Sequence, residues 1–273
     1  RDFCLSRGLG DVYKRQALDY LIKVKGYSFL EAVETIIGHT AIQAPVYEKP
    51  QLKEENKPLL LPEKCASNRV ITEYLFGRGI DFEIINYCIS NDLIFESLPY
   101  HNVVFVGYDE KKEPKYAAYR STNKRRIMGD CSGSKKDYSF RLGKENLEEV
   151  HLFECAIDLL SYATLAKLNG QDWKEMSFVS LSGVYSPAKK IEDSKVPIAL
   201  EKYLGSNPSV RKIRIHFDND IAGRKAAQTL KIILPDKYEI VDEPPKAGKD
   251  FNDFLCMQMG IYNKKTHERN EER

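Results

Sequence analysis

The chain has 273 residues, 42% of them hydrophobic and 30% charged. That balance supports one large or two ordinary globular domains without covalent staples, and it excludes a disordered chain or a membrane protein. Lys and Arg number 42 against 40 Asp and Glu, a net of +2, so the global charge says nothing about nucleic acid. No apolar run reaches bilayer length and the start lacks a signal-peptide pattern, so the cytoplasm is the expected compartment and no membrane partner is expected. Six cysteines (Cys4, Cys65, Cys88, Cys131, Cys155, Cys256) are scattered, without CxxC or close Cys/His pairing. Neither a disulfide framework nor a complete zinc site is encoded by that spacing, and free thiols are expected.

Residues 1–16 show no clear periodicity and join abruptly to a patterned helix, so they read as a cloning scar or translated adapter outside the fold. From Ala17 the spacing is helical, with Leu18, Leu21 and Ile22 on one face. After a turn at Gly26, Ser28 caps a second helix with Glu31 three residues later; the helix carries Phe29, Val33, Ile36 and Ile37 and ends at Gly38. Residues 17–40 are thus a helical remnant whose upstream partner is expected to be missing. Residues 41–64, with Pro45, Pro50, Pro58 and Pro62, read as a linker.

Residues 65–145 are expected to form a smaller α+β domain. Helical spacing over 67–90 breaks at Gly77-Arg78-Gly79, and strand signals over 101–108 and 115–120 imply a hairpin. Between Lys111 and Lys144 lie eleven basic residues against three acidic ones, interleaved with Tyr116, Tyr119, Tyr138 and Phe140. Such a block suits a single-stranded nucleic acid, with cations along the phosphates and rings on the bases; it equally suits a solvated lysine-rich hairpin. Arg120, Lys124, Arg125, Arg126, Lys135 and Lys136 are the candidate contacts.

Residues 149–258 alternate strand and helix: strands at 150–153, 176–181, 211–217 and 238–241, with helices at 157–167, 198–204 and 221–234. The expected fold class is α/β, a mainly parallel sheet flanked by helices, whose ligands bind at the carboxyl ends of the strands. Trp173 and His216 are expected to be packing residues, and residues 259–273 a polar tail.

The acidic candidates fall at that edge. Glu154 follows the first strand, Asp218 and Asp220 the third, and Asp250 and Asp253 the last. Singly, each is explained as a cap or turn residue. Together they repel and raise one another's pKa unless a hard divalent cation compensates; magnesium fits, with manganese as the alternative. Asp158, one helical turn beyond Glu154, is either a hydrogen-bond partner of the site or a solvated helix residue. Lys249 pairs either with phosphate or with its acidic neighbour.

Three blocks in order, 151–158 (HLFECAID), 216–224 (HFDNDIAGR) and 249–253 (KDFND), resemble the TOPRIM module of bacterial replicative primases, topoisomerases and certain nucleases. The resemblance implies acid/base chemistry at Glu154 and metal binding by Asp218, Asp220 and Asp250, with Asp158, Lys249, Asn252 and Asp253 in support. Two departures stand out: Cys155 replaces the usual glycine, and Asn252 stands where primases tend to have a second aspartate. The KDFND form is similar to a TOPRIM-like branch of plasmids and conjugative elements, commonly preceded by a domain of unknown function that residues 65–142 resemble through 74–80 (YLFGRGI) and 119–135. Residues 17–38 resemble the last piece of a primase-type zinc ribbon, so Zn2+ is expected only in a fuller-length protein. These resemblances imply a primase-like, magnesium-dependent nucleotidyl transfer on single-stranded DNA in mobile-element replication or transfer. The implied partners are single-stranded DNA and nucleotides, with a helicase or relaxase as a candidate. A TOPRIM nuclease and a nonenzymatic DNA-binding accessory protein are the alternatives.

Overall fold

The computed structural model describes residues 57–261 apart from 124, 184 and 189, together with 20–22, 24–27, 31, 32 and 35. Residues 1–55 and 56–273 are separate compact units. In the first, 20–22 and 31, 32 and 35 are helical and 24–27 form the turn, with Gly26 at a φ of +74°; the other positions assigned to the helical remnant lie outside the described residues.

The second unit begins with an extended segment. Leu60 N donates to Ser132 O and Leu98 N to Glu63 O, and Lys64 bridges Ser97. The proline-rich run expected to be linker as far as residue 64 is therefore held against the fold over its last part, in an extended form that leaves no periodic trace in the sequence. Helices α1 (Arg69–Phe76) and α2 (Phe82–Ser90) follow, parted at the expected break. Gly79 takes a φ of +82°, and a side chain there would meet Leu255 and Met259.

Strands β1 (Ile94–Glu96), β2 (Val103–Tyr108), β3 (Pro114–Arg120) and β4 (Met128–Asp130) make an antiparallel sheet in that order. The expected hairpin is β2–β3. Its flanking strands β1 and β4 have three residues each, too few to show alternation.

The second sheet has the order β5-β7-β6-β8-β9, from β5 (Arg141–Gly143), β6 (Glu149–Phe153), β7 (Ser177–Ser180), β8 (Lys212–Ile215) and β9 (Glu239–Asp242). Only β5 runs antiparallel; β7, β6, β8 and β9 pair in parallel. Crossover helices α3 (Ala156–Leu168), α4 (Ile198–Ser206) and α5 (Ile221–Ile233) join the parallel strands, and α6 (Phe251–Gln258) follows β9. This is the expected mainly parallel sheet flanked by helices.

Strand alternation divides the core between the two faces. Val150, Leu152, Ile213 and Ile215 pack with Leu200, Ala226 and Leu230 of α4 and α5. Phe153 and Phe178 pack on the other face with Leu159 of α3, Leu255 of α6, and Ile71, Leu75 and Ile84 of α1 and α2. Helix α3 is buried nearly all round because it lies between the sheet and the preceding helices. The regions 65–145 and 149–258 thus share one hydrophobic core. Trp173 is buried with its ring edge-on to Tyr87, and His216 is buried against Phe153, both as packing residues.

The chain leaves β6 through α3 toward β7 and then returns across β6 to β8. Reversal of that kind opens a crevice between the carboxyl ends of β6 and β8. Among the described residues no helix is long and apolar enough to cross a membrane.

Candidate active site at the ends of the parallel strands

Glu154 is the first residue past β6, and Asp218 lies three residues past β8, so the crevice receives one carboxylate from each side. Glu154 is 5% exposed, and one of its oxygens accepts from Asp218 N at 3.3 Å. Its own carbonyl accepts from Gly183 N at 2.9 Å, which draws the loop after β7 to the same edge. Burial first, and then the Asp218 charge, push the Glu154 carboxyl up to about 7.

Two of the other carboxylates are placed by helix caps. Asp220 caps α5, one oxygen accepting from Gly223 N at 2.9 Å; that bond holds its carboxyl below the usual range. Asp250 caps α6 through Asp253 N at 2.7 Å. Capping fixes one oxygen of each aspartate and leaves the other for the crevice. Gly223 is indispensable to this arrangement, because a Cβ there would lie 2.2 Å from the Asp218 carbonyl oxygen.

The carboxylates already grip a cation. Lys249 Nζ sits 3.0 Å from Asp218 and 3.2 Å from Asp220, and both bonds raise its pKa. Lys249 therefore pairs with its acidic neighbours. Asp250 and Asp158 are each raised, chiefly by burial; Asp218 charge adds to the first, and Asp250 charge to the second. These carboxylates thus feel one another across the crevice. The donor set is all hard oxygen and already holds a positive charge on a side chain that is 57% exposed. Asp218, Asp220 and Asp250 thus offer the hard oxygen donors that a divalent ion takes, although no three of these side chains bring one ligand atom each within 4.8 Å of one another.

Of the supporting residues, Asp158 is buried and not solvated: it accepts from Cys155 Sγ at 2.7 Å and from Asn252 N at 3.2 Å. Asp253 turns back onto the loop, accepting from Lys249 N at 3.3 Å. Asn252 is buried and engaged with Arg78 and Ser161. Cys155 caps α3 in an extended conformation, φ −136° and ψ 161°, which any residue adopts, so no glycine is required there.

Arg224 has no assigned role in the sequence reading but is central to the geometry. Its guanidinium donates to the carbonyls of Phe217 (2.8 Å) and Asp218 (3.3 Å) and to Asp242 (2.7 Å), fixing the backbone that carries Asp218. The signal was available: a cation in the first turn of a helix opposes the macrodipole and needs a specific partner.

The basic block divides. Lys115 pairs with Asp109 and Glu113, and Lys144 with Glu175, so these two cations are neutralised within the fold. Arg125 and Arg126 are exposed in the β3–β4 turn and Lys135 is exposed before β5; Lys124 lies outside the described residues. Arg120 ends β3, and its charge reaches Cys155 beside the crevice. Lys136 pairs with Asp130 at 3.1 Å and donates to Ser182 O at 3.3 Å, next to Gly183. Of the rings that the nucleic-acid reading of the block would set against bases, Tyr116 and Phe140 are buried in the core and are not available for stacking.

Residues 151–255 match a family described as Toprim-like, and residues 73–146 match one described as protein of unknown function, DUF3991. These are the two families that the motif blocks and the preceding segment resemble. Among solved structures the chain is similar to the primase fragment of the bacteriophage T7 primase-helicase protein, at 18% identity over 71% of this chain and 72% of that chain, with a TM-score of 0.46. It is similar to the E. coli primase catalytic core at 12% identity over 75% and 72%, TM-score 0.45, and to the Aquifex aeolicus primase at 15% over 93% and 69%, TM-score 0.44. No curated protein matches the chain.

The Glu154 carboxyl makes stability pH-dependent in a defined direction. Its ordinary value is 4.5 and its folded value about 7, so between these the folded chain keeps a proton that the unfolded chain has lost, and stability falls as pH rises through that window. In metal-free buffer, Glu154→Gln is expected to remove a share of that fall on the order of 2–3 kcal/mol, read from urea midpoints measured across pH 4.5 to 7. An unchanged slope would contradict the assignment.

Proposed function

For a chain that carries a Toprim-like domain preceded by a DUF3991 domain, we propose primase-like nucleotidyl transfer on single-stranded DNA, dependent on magnesium or manganese, in the replication or transfer of a mobile element. The observation that carries this reading is that Glu154, Asp218, Asp220 and Asp250 all follow the carboxyl ends of the parallel strands and influence one another's charge, with Asp218 and Asp220 holding the Lys249 ammonium.

Asp218, Asp220 and Asp250 would hold the divalent ion, with Lys249 displaced toward the triphosphate. When bound, that ion supplies Lewis-acid stabilisation of charge on the phosphates. Glu154 would take the proton from the primer 3′-hydroxyl as its oxygen attacks the α-phosphorus and pyrophosphate leaves. A carboxyl raised to about 7 suits a proton acceptor working near neutral pH. Arg224 would keep the Asp218 backbone in place during turnover.

The template path is proposed to run over Arg120, Lys124, Arg125, Arg126, Lys135 and Lys136. The hydrogen bond from Lys136 to Ser182, adjacent to Gly183 and so to Glu154, supports a basic surface leading to the acidic crevice. Tyr100, Ile127 and Met128 are exposed near it and offer the apolar faces that Tyr116 and Phe140 cannot. Cys155 and Asn252 are both accommodated by hydrogen bonds beside the crevice, which supports the catalytic reading over a nonenzymatic one.

Primer synthesis on single-stranded DNA with nucleotides and magnesium tests the reaction. Asp218→Asn and Glu154→Gln are each expected to lower product by roughly a hundredfold or more while retaining the native circular dichroism spectrum. Product equal to the parent's would end the assignment, and shortening of the labelled strand without nucleotides would transfer the same residues to a nuclease.

Template binding has its own signature. Replacing Arg125 and Arg126 together by alanine is expected to weaken single-strand affinity and to reduce the log affinity–log salt slope by about 0.7 for each phosphate that is no longer neutralised. Fluorescence anisotropy at several salt concentrations reads it, and an unaltered slope would remove these residues from the path.

A further inference from the structure

At the opposite end of the antiparallel sheet from the β2–β3 turn, three side chains unrelated to the acidic crevice come together. Cys65 lies on the segment entering the fold, Glu96 ends β1, and His101 stands in the loop before β2. One ligand atom from each lies within 4.8 Å of the other two; among the described residues no other group of three or more His, Cys, Asp or Glu gathers so closely.

The arrangement is built from buried parts. Glu96 is 2% exposed. One of its oxygens accepts from Val70 N at 2.9 Å and Ile71 N at 3.3 Å in the first turn of α1, and its backbone N donates to Asn68 Oδ1 at 2.9 Å. Its other oxygen lies 2.6 Å from His101 Nδ1. Cys65 is tied to the same residue through Cys65 N to Glu96 O at 2.8 Å. His101 adopts a left-handed φ of +53°, rare for a residue with a side chain, and its carbonyl accepts from Thr122 Oγ1 at 2.9 Å. A loop in that conformation turns the imidazole toward Glu96 and leaves the His101 side chain 45% exposed.

We propose that Cys65, Glu96 and His101 form a binding site for a borderline-soft divalent transition metal, with zinc as the ion of choice and solvent in the fourth position. A thiolate, an imidazole and a carboxylate are the donors zinc takes, and the thiolate disfavours magnesium and calcium. The helix-held oxygen of Glu96 orients its partner oxygen as an outer hydrogen bond orients a metal ligand. On binding, the Cys65 thiol loses its proton to solvent. The Glu96–His101 hydrogen bond gives way to two metal bonds, and the imidazole proton resides on Nε2. Ligand bonds of about 2.0–2.1 Å set tetrahedral neighbours about 3.3 Å apart, so His101 must draw back by less than an ångström, which its half-exposed side chain permits.

The site joins elements distant in sequence: the entering segment, the end of β1 and, through the His101 carbonyl, the 121–127 turn that carries Arg125 and Arg126. The absence of CxxC or a close Cys/His pair, which argued against zinc from spacing, does not bear on ligands brought together by the fold.

Cobalt substitution tests it in the full chain after chelator treatment. One Co2+ per chain is expected to give a thiolate-to-cobalt charge-transfer absorption that stoichiometric Zn2+ abolishes. Cys65→Ser should lose that absorption, His101→Asn should bind at least tenfold more weakly, and Asp218→Asn should retain it, which separates this site from the acidic crevice. No thiolate band, a band seen only in large cobalt excess, or one unchanged in Cys65→Ser would overturn the proposal.

Discussion

Like charges brought to one sheet edge repel each other, and the crevice past β6 and β8 is organised around that constraint. Topology brings the carboxylates there. The chain reverses direction across β6, so the residues that follow β6 and β8 meet at one opening. Glu154 holds a proton up to about 7, chiefly because burial disfavours its charge and then because Asp218 repels it. Asp218 and Asp220 answer the repulsion by holding the Lys249 ammonium. A divalent ion in place of that side chain would have to draw the carboxylates closer, since no three of them bring one ligand atom each within 4.8 Å of one another.

Much of this was legible in the sequence because it is local. A strand followed within a few residues by an acid is a pattern that a single pass detects, and Glu154, Asp218 and Asp220 fit it; Asp250 is legible only as an acid beyond the last strand within the KDFND block. Strands β1, β4 and β5 are not legible, since each has three residues and alternation needs more. Helix α6 was hidden because its first turn, Phe251 to Asp253, was read for its acids rather than its cap, although Asp250 and Asp253 have the spacing of an N-terminal capping pair.

What the sequence could not disclose was the partner of each side chain. Arg224 reads as one of 42 basic residues until three acceptors surround its guanidinium. The basic block reads as uniform, yet Lys115, Lys136 and Lys144 each pair with an acid of their own, and of these Lys136 also reaches the loop beside the crevice. Tyr116 and Phe140 looked like stacking platforms because alternation gives a period but not which face turns inward. Here both rings fall on the buried side.

The two departures from the TOPRIM pattern resolve into one buried network. Arg78 donates to Asn252 Oδ1 at 2.7 Å, while Asn252 Nδ2 donates to Arg78 O at 2.9 Å and Ser161 Oγ at 3.0 Å. Asn252 N then reaches Asp158, which also accepts from Cys155, the neighbour of Glu154. Every link has a donor facing an acceptor, the condition under which a buried polar network rigidifies its surroundings. An aspartate at 252 would forfeit both Nδ2 donations and set a second carboxylate beside Asp158; glycine at 155 would remove the thiol that satisfies Asp158. Asparagine and cysteine are therefore coupled choices. Through Arg78 they fasten the turn between α1 and α2 to the strand end that carries Glu154.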